Sequence, residues 1–171
     1  GVQINSTVGF TCNRGTDNIA DRERRVSLPL ALAHPGQGVR GLTVVNVRVA
    51  FLTHLHSDHT IGYADLILTP WSVGRSQPLE VYGPKGLKHM TSHVLEAYRE
   101  DIAIRRRDKR VLGVPEQADG YKVDVHEIAP GTVNKDHNIT VKAFLVNHGD
   151  VSQAFGYRIE TPDRAIVISG D

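Results

Sequence analysis

The feature that most constrains this chain is a stretch in which three histidines and an aspartate fall within six residues. His54, His56, Asp58 and His59 lie together, although the 171 residues contain only 9 histidines. The preceding residues, 44–52, are mostly apolar and β-branched, which predicts a strand. The histidines are therefore expected where a buried strand ends in a loop. Neutral imidazoles and a carboxylate at such a place are suited to binding a metal ion.

The spacing of these four side chains indicates two neighbouring metal-binding positions. His54 and His56 are two residues apart on an extended segment, so both rings can point to the same side. Asp58 and His59 follow where the chain turns, and they can face a second point nearby. The pattern favours one ion at the histidine pair and another at Asp58 and His59.

Two later strand-like runs end in side chains that could complete such a site. Residues 139–146 lead into His148, and residues 165–169 lead into Asp171. The ends of separate strands converge on one edge of a sheet, which is a usual position for a binding site. His148 and Asp171 are therefore further candidate ligands.

Composition bounds the size of the domain and excludes several kinds of protein. The length of 171 residues, with 40% apolar and 23% charged residues, predicts one globular domain over residues 1–171. A net charge of +1 gives no bulk electrostatic argument for a nucleic-acid or membrane partner. The apolar runs are too short to span a bilayer. Cys12 is the only cysteine, which excludes an internal disulfide and a thiolate zinc cluster.

Periodicity predicts an α/β domain whose second half consists mostly of strands. The first 40 residues are expected to form loops, with a weak strand at 27–33, and residues 61–68 a short helix or turn. Apolar residues at helical spacing predict one amphipathic helix from Leu87 to about Asp101. Further strands are predicted at residues 79–82, 121–125, 139–146, 154–160 and 165–169, with a tight turn at 161–164.

The run His54-Leu55-His56-Ser57-Asp58-His59 resembles the HxHxDH motif of the metallo-β-lactamase superfamily. The branch that it resembles most contains ribonuclease Z and arylsulfatase-like proteins, because Gly83-Pro84-Lys85-Gly86 and Phe155-Gly156-Tyr157 also match that branch. The similarity extends from about residue 15 to the end of the chain. It implies an αββα sandwich, of which this chain holds mainly the amino-terminal half.

The resemblance implies a site with two zinc ions, although other divalent metals could use the same ligands. His148 would complete the first metal site and Asp171 would bridge the two ions. Asp58 would also be catalytic, orienting a metal-bound hydroxide that acts as the nucleophile. The implied metal ligands are His54, His56, Asp58, His59, His148 and Asp171.

Two departures from the family pattern affect this expectation. The family's Asp-x-Gly-x-Gly turn upstream of the histidines is replaced by His34-Pro35-Gly36-Gln37-Gly38. The family's final histidine, which follows the bridging aspartate, would lie beyond Asp171. We therefore expect a chain truncated after Asp171, with the carboxy-terminal part of the domain missing and a weaker second metal site.

These observations leave several functional hypotheses open. The first is a zinc-dependent phosphodiesterase similar to ribonuclease Z, acting on RNA or a small phosphodiester and without a membrane partner. The same metal core could instead serve an aryl sulfatase, a β-lactamase or a lactonase. An alternative of another class is a catalytically incomplete metal-binding module that needs a partner chain, as a homodimer or other oligomer.

Two further clusters have a functional and a structural interpretation. Residues 105–110 contain five cations, which could contact an RNA backbone or could form a solvated helix end. His89 and His93 are four residues apart on the predicted helix, and they could bind a metal or lie on a solvated face. The solvated interpretation is favoured for both clusters.

Overall fold

The computed structural model describes residues 7–10, 45, 47–111 and 119–170. In this part of the chain, eight strands form two four-stranded sheets, and the three longer of the four helices cover one face of the first sheet. In chain order the elements are β1 (Thr7–Phe10), β2 (Val47–Phe51), α1 (Ser57–Thr60), α2 (Tyr63–Ser72), β3 (Leu79–Gly83), α3 (Leu87–Ala97), α4 (Arg99–Val111), β4 (Val123–Glu127), β5 (Gly131–Lys135), β6 (Thr140–Leu145), β7 (Phe155–Glu160) and β8 (Ala165–Ile168).

The two sheets differ in strand direction. The first has the order β1-β2-β3-β4 and all its neighbours are parallel, whereas the second has the order β5-β6-β7-β8 and is antiparallel throughout. Parallel neighbours need a crossover, and the helices α1 to α4 lie in the connections from β2 to β3 and from β3 to β4. The antiparallel strands of the second sheet need no helical crossover: a tight turn at residues 161–164 joins β7 to β8, and the longer loop of residues 146–154 joins β6 to β7.

Alternation along the first sheet divides its side chains between two apolar cores. Ala50 and Val81 lie in the core that the helices cover, together with Trp71 of α2. Phe51 and Tyr82 point the other way and pack against the second sheet, in the core that includes Tyr157. The layers are therefore helix, sheet and sheet. The predicted α/β class with two stacked sheets is confirmed.

Several details of the predicted secondary structure were wrong. Residues 7–10, expected to be a loop, form the strand β1 beside β2. The single helix from Leu87 is two helices that meet at Tyr98, and β5 was not predicted. The helix expected at 61–68 is α1 and α2, which together begin earlier and end later. The weak strand at 27–33 and the segment from His34 to Gly38 lie outside the described residues.

None of the helices that the structure describes has both the length and the apolar character needed to cross a bilayer. The longest, α4, has 13 residues and carries a run of charged side chains.

Tyr157 joins the two sheets at Leu52, where β2 leads into the histidine-rich loop. Its hydroxyl donates a hydrogen bond of 2.7 Å to the Leu52 carbonyl, while the Leu52 N–H donates to the Tyr82 carbonyl. The side chain is fully buried, and burial raises its pKa above the ordinary value for tyrosine. Leu52 is thus held from both sheets at the point where β2 ends.

We expect Tyr157→Phe to lower the free energy of unfolding by about 1–3 kcal/mol, because it leaves the buried Leu52 carbonyl without this donor. Urea denaturation followed by circular dichroism would measure the change. Tyr98→Phe is the matched control, since Tyr98 is 44% exposed and should change stability by less than about 0.5 kcal/mol. Equal midpoints for the two variants would contradict the proposed role of Tyr157.

Candidate metal centre

The histidine-rich loop begins where β2 leaves the first sheet and ends in the short helix α1. His56 is the residue before α1, with extended backbone angles of φ −61° and ψ 145°. Its carbonyl accepts hydrogen bonds from the N–H groups of His59 and Thr60, each at 3.1 Å, and from the Thr60 hydroxyl at 2.9 Å. The start of the helix therefore fixes the backbone at the His56 carbonyl.

His54 is the buried member of the cluster. The residue is 1% exposed, and its Nδ1 lies 3.0 Å from the hydroxyl of the equally buried Thr53. A hydrogen bond at one ring nitrogen fixes the orientation of the ring and directs the other nitrogen to the site. Thr53 therefore positions His54 Nε2 toward the other histidines.

His148 joins His54 and His56 from a loop 92 residues further along the chain. His56 Nδ1 lies 3.2 Å from His54 Nε2 and 3.2 Å from His148 Nε2. The ligand nitrogens of these three histidines all lie within 4.8 Å of one another. We call this group the histidine triad.

The donor set and spacing of the triad suit a divalent metal ion, and zinc provides a test of the distances. Zinc–nitrogen bonds of about 2.0–2.1 Å in a tetrahedral site place two ligand nitrogens about 3.3–3.4 Å apart. The two separations of 3.2 Å are close to that value. Three imidazoles leave a fourth position for another ligand, as in catalytic zinc sites.

The His148 loop is held against the histidine-rich loop by backbone hydrogen bonds. Phe155 N–H, at the start of β7, donates to the Thr53 carbonyl at 2.9 Å. Within the loop, Val151 N–H donates to the His148 carbonyl at 3.1 Å, and Val146 N–H donates to the Ala154 carbonyl at 2.9 Å. These backbone bonds therefore hold His148, which follows β6, next to His54 and His56, which follow β2.

Asp58 and His59 lie beside the triad on α1. The His59 ring is buried and its centroid is 4.3 Å from that of His54. Asp58 Oδ2 lies 3.6 Å from His59 Nε2, and the Asp58 side chain is 53% exposed. Their roles as ligands of a second ion, and that of Asp58 in catalysis, stay predictions. Asp171 lies outside the described residues, so its bridging role stays a prediction as well.

Comparison with known proteins identifies the family to which this arrangement belongs. A family model described as "Beta-lactamase superfamily domain" matches residues 15–171, which include the whole histidine-rich loop and His148. The chain belongs to the metallo-β-lactamase superfamily. The resemblance seen in the sequence is therefore confirmed, as is the sandwich fold that it implied.

Relatives of this chain include proteins named ribonuclease Z. The protein from Mycobacterium sp. (strain KMS) is 32% identical over 155 residues, which cover 90% of this chain and 50% of that protein. The protein from Mycobacterium marinum is 31% identical over 139 residues, covering 80% of this chain and 46% of that protein. The chain thus spans about half the length of the relatives that it matches.

The fold of this chain is also similar to that of a solved structure. Human tRNase Z, short form, superposes with a TM-score of 0.55 and 27% identity. The match covers 77% of this chain and 51% of the human chain.

The two other clusters singled out in the sequence lie on α3 and α4, and neither contributes to the triad. His89 and His93 are exposed on α3 with ring centroids 4.2 Å apart, and His93 Nδ1 lies 3.1 Å from the His89 carbonyl. On α4, Arg105 pairs with Asp101 at 2.9 Å and Arg106 lies over the Tyr121 ring. Such intramolecular contacts support a solvated helix surface, the interpretation favoured for both clusters.

Sequence reasoning did not identify three residues that position this part of the superfamily fold. Thr53 orients His54, Gln153 contacts the backbone of the loop after β3, and Glu127 accepts hydrogen bonds from the start of α3. Thr53 could have been found, because a hydroxyl directly before a ligating histidine is a suitable second partner for its ring. The contacts of Gln153 and Glu127 join residues 68 and about 40 positions apart, and no local pattern predicts them.

Proposed function

We propose that this chain carries the first metal site of a zinc-dependent hydrolase similar to ribonuclease Z, with a phosphodiester as substrate. The observation that carries the proposal is the histidine triad, which combines His54 and His56 of the superfamily motif with the distant His148. Three further ligands would complete the site, with Asp171 in the bridging position and Asp58 and His59 at the second ion.

The residues of the chain suggest how the site would work. A bound divalent ion supplies Lewis-acid chemistry, neutralising charge on a phosphoryl oxygen and activating water at neutral pH. Thr53 keeps the His54 ring in place, and the backbone bonds of His56 and His148 keep the triad assembled before the substrate arrives. Asp58 presents an exposed carboxylate beside the triad, where it can hold the proton of an attacking water.

RNA is the preferred substrate in this proposal because the relatives are named ribonuclease Z and tRNase Z. The fold and the metal ligands do not by themselves fix a substrate, since one superfamily can host different hydrolytic reactions. Aryl sulfates, β-lactams and lactones are therefore the comparison substrates.

The test is hydrolysis by the purified chain supplied with zinc. We expect turnover of bis(p-nitrophenyl) phosphate and cleavage of a tRNA transcript, and both activities should disappear with a chelator and return when zinc is added. A p-nitrophenyl sulfate, a chromogenic cephalosporin and a lactone would be assayed in parallel. Turnover of one of these, with no cleavage of either phosphodiester, would contradict the proposed substrate class.

A second candidate function, a metal-binding module that needs a partner chain, is favoured by the exposure of β8. This strand pairs with β7 alone within the described sheet. Its neighbouring residues Ile166 and Val167 point to opposite faces, yet they are 54% and 55% exposed. Apolar side chains exposed on an edge strand are suited to being covered by another chain.

Sedimentation velocity combined with the hydrolysis assay distinguishes the two candidates. An active monomer supports the hydrolase proposal for the chain by itself. A zinc-bound chain that hydrolyses nothing, or that gains activity only as it self-associates, supports the module.

A further inference from the structure

We infer that a groove beside the histidine triad binds a second phosphate of an RNA substrate, and that Lys85 is the residue that contacts it. The inference rests on the proposed function and adds a specificity-determining residue to it. The groove has a volume of about 420 Å³, and its lining residues are Leu55, Pro84, Lys85, Val151, Ser152 and Gln153.

Two walls of the groove belong to the loops that carry the triad histidines. Leu55 lies between His54 and His56, so one wall of the groove belongs to the loop that carries two of the triad histidines. Val151 to Gln153 follow His148 in its own loop, and they form another wall. A strand of nucleic acid with one phosphate at the triad would therefore pass its neighbouring nucleotides along this groove.

The chemistry of the groove suits an anion with a sugar attached. Its polar side chains, from Lys85, Ser152 and Gln153, all carry hydrogen-bond donors, and none of the six lining residues is a carboxylate. The Lys85 ammonium is a compact positive charge of the kind that binds phosphate. The apolar walls of Leu55, Pro84 and Val151 can pack against a ribose or a base.

The loop that carries Lys85 is fixed before any ligand binds. Lys85 N–H donates to Gln153 Oε1 at 2.8 Å, which ties the loop to the far wall of the groove. Glu127 Oε1 accepts from the N–H groups of Gly86, at 2.8 Å, and Lys88, at 3.1 Å. Gly86 has a φ of +99°, a conformation that suits glycine. Because the loop backbone is preformed, only the Lys85 side chain has to be ordered when a phosphate binds.

The same hydrogen bonds affect the Glu127 carboxyl group. The N–H groups of Lys88 and Gly86 lower its pKa, and the charges of Lys88 and Lys85 contribute less. Glu127 is therefore ionised at neutral pH, and it holds the start of α3 as an acceptor.

Lys88 provides a matched control for Lys85. Both lysines are exposed and lie within one turn of the start of α3, but Lys88 is not among the residues that line the groove. A general electrostatic attraction for RNA would depend on both lysines equally. A phosphate contact in the groove would depend on Lys85.

The experiment compares Lys85→Ala, Lys85→Gln and Lys88→Ala in the zinc-loaded chain with two readouts. Fluorescence anisotropy with a labelled oligouridylate, over a series of salt concentrations, should show binding weakened by about fivefold to tenfold for the Lys85 variants. The slope of log affinity against log salt should fall by about 0.7, the loss expected for one phosphate contact to a single strand. Lys88→Ala should bind within about twofold of the unsubstituted chain.

The second readout is hydrolysis, which separates this inference from the proposed function. Bis(p-nitrophenyl) phosphate has one phosphate and cannot fill a second phosphate subsite, so Lys85→Ala should raise the KM for RNA by a larger factor than any loss in kcat/KM for this small substrate. Equal loss on both substrates, or RNA binding that Lys88→Ala weakens as much, would overturn the subsite. Absence of zinc-dependent turnover would overturn the proposed function, and the RNA salt slopes would still decide the role of Lys85.

Discussion

His56→Ala is expected to lower the affinity for zinc by more than about a hundredfold and to abolish hydrolysis of bis(p-nitrophenyl) phosphate. His56 Nδ1 is the atom that lies 3.2 Å from the ligand nitrogens of both other histidines in the triad. Loss of a residue that only supports a ligand typically costs about 10-fold to 100-fold in metal affinity, so loss of a ligand should cost more. Competition with a chromogenic zinc chelator would measure the affinity.

His137→Ala is the matched control for this variant. His137 is exposed, lies in the turn between β5 and β6, and contacts Asn138 at 2.9 Å. Its loss should leave zinc affinity and turnover within about twofold of the unsubstituted chain. Urea denaturation of both apo variants would show that each remains folded. Equal zinc affinity in His56→Ala and His137→Ala would contradict the assignment of the triad.

Arg75→Met is expected to lower the free energy of unfolding by about 3–5 kcal/mol. Arg75 is 1% exposed and its guanidinium donates to three backbone carbonyls, those of Leu66, Ile67 and Gly120. Each carbonyl left without its donor costs about 1–3 kcal/mol. Burial lowers the pKa of Arg75 to about 10, with a smaller contribution from Arg48, so the group is still charged at neutral pH.

The need for Arg75 follows from a proline inside α2. Pro70 has no N–H, so it cannot donate to the Leu66 carbonyl four residues earlier. Arg75 Nη1 donates to that carbonyl at 3.2 Å. Nη2 donates to the Gly120 carbonyl at 2.8 Å, so the guanidinium joins α2 to the segment that precedes β4. A side chain at position 120 would meet the Arg75 carbonyl at 1.8 Å, which explains why glycine is found there.

Arg99→Met is the control for the Arg75 substitution, because it removes an exposed guanidinium. Arg99 pairs with Glu96 at 2.7 Å, but both side chains are largely in solvent. A surface ion pair of this kind contributes about 0–1 kcal/mol. Chemical denaturation of both variants would give the comparison. A loss in Arg75→Met no larger than that in Arg99→Met would show that the buried guanidinium does not hold α2 to the β4 connection.

The elements that the sequence predicted well are those with a periodic apolar pattern. The alternating run before β4 and the apolar runs of β6 and β7 gave strands within a few residues of their observed bounds. β5 was missed because Gly131–Lys135 is an edge strand whose residues are exposed or half-buried, with no apolar alternation. α4 was missed because its sequence is dominated by charged residues and offers few apolar side chains to mark a buried face.

The site was predictable where its residues follow a local motif, and less so where they depend on tertiary contacts. The local histidine motif, together with a histidine at the end of a later strand, predicted His54, His56 and His148 as ligands of one metal ion. The structure brings these three side chains together. The groove beside it depends on contacts between residues far apart in sequence, such as Lys85 with Gln153. Long-range pairing of that kind leaves no periodic pattern in the residues around either partner.

The most direct test of the metal-centre assignment is the zinc content of the purified chain, measured by elemental analysis after dialysis against buffer with micromolar free zinc. The triad brings three imidazole ligands together without rearrangement. The proposed centre therefore predicts at least about one zinc ion per chain, retained through dialysis and lost in His56→Ala. A folded chain that retains no zinc under these conditions would contradict it.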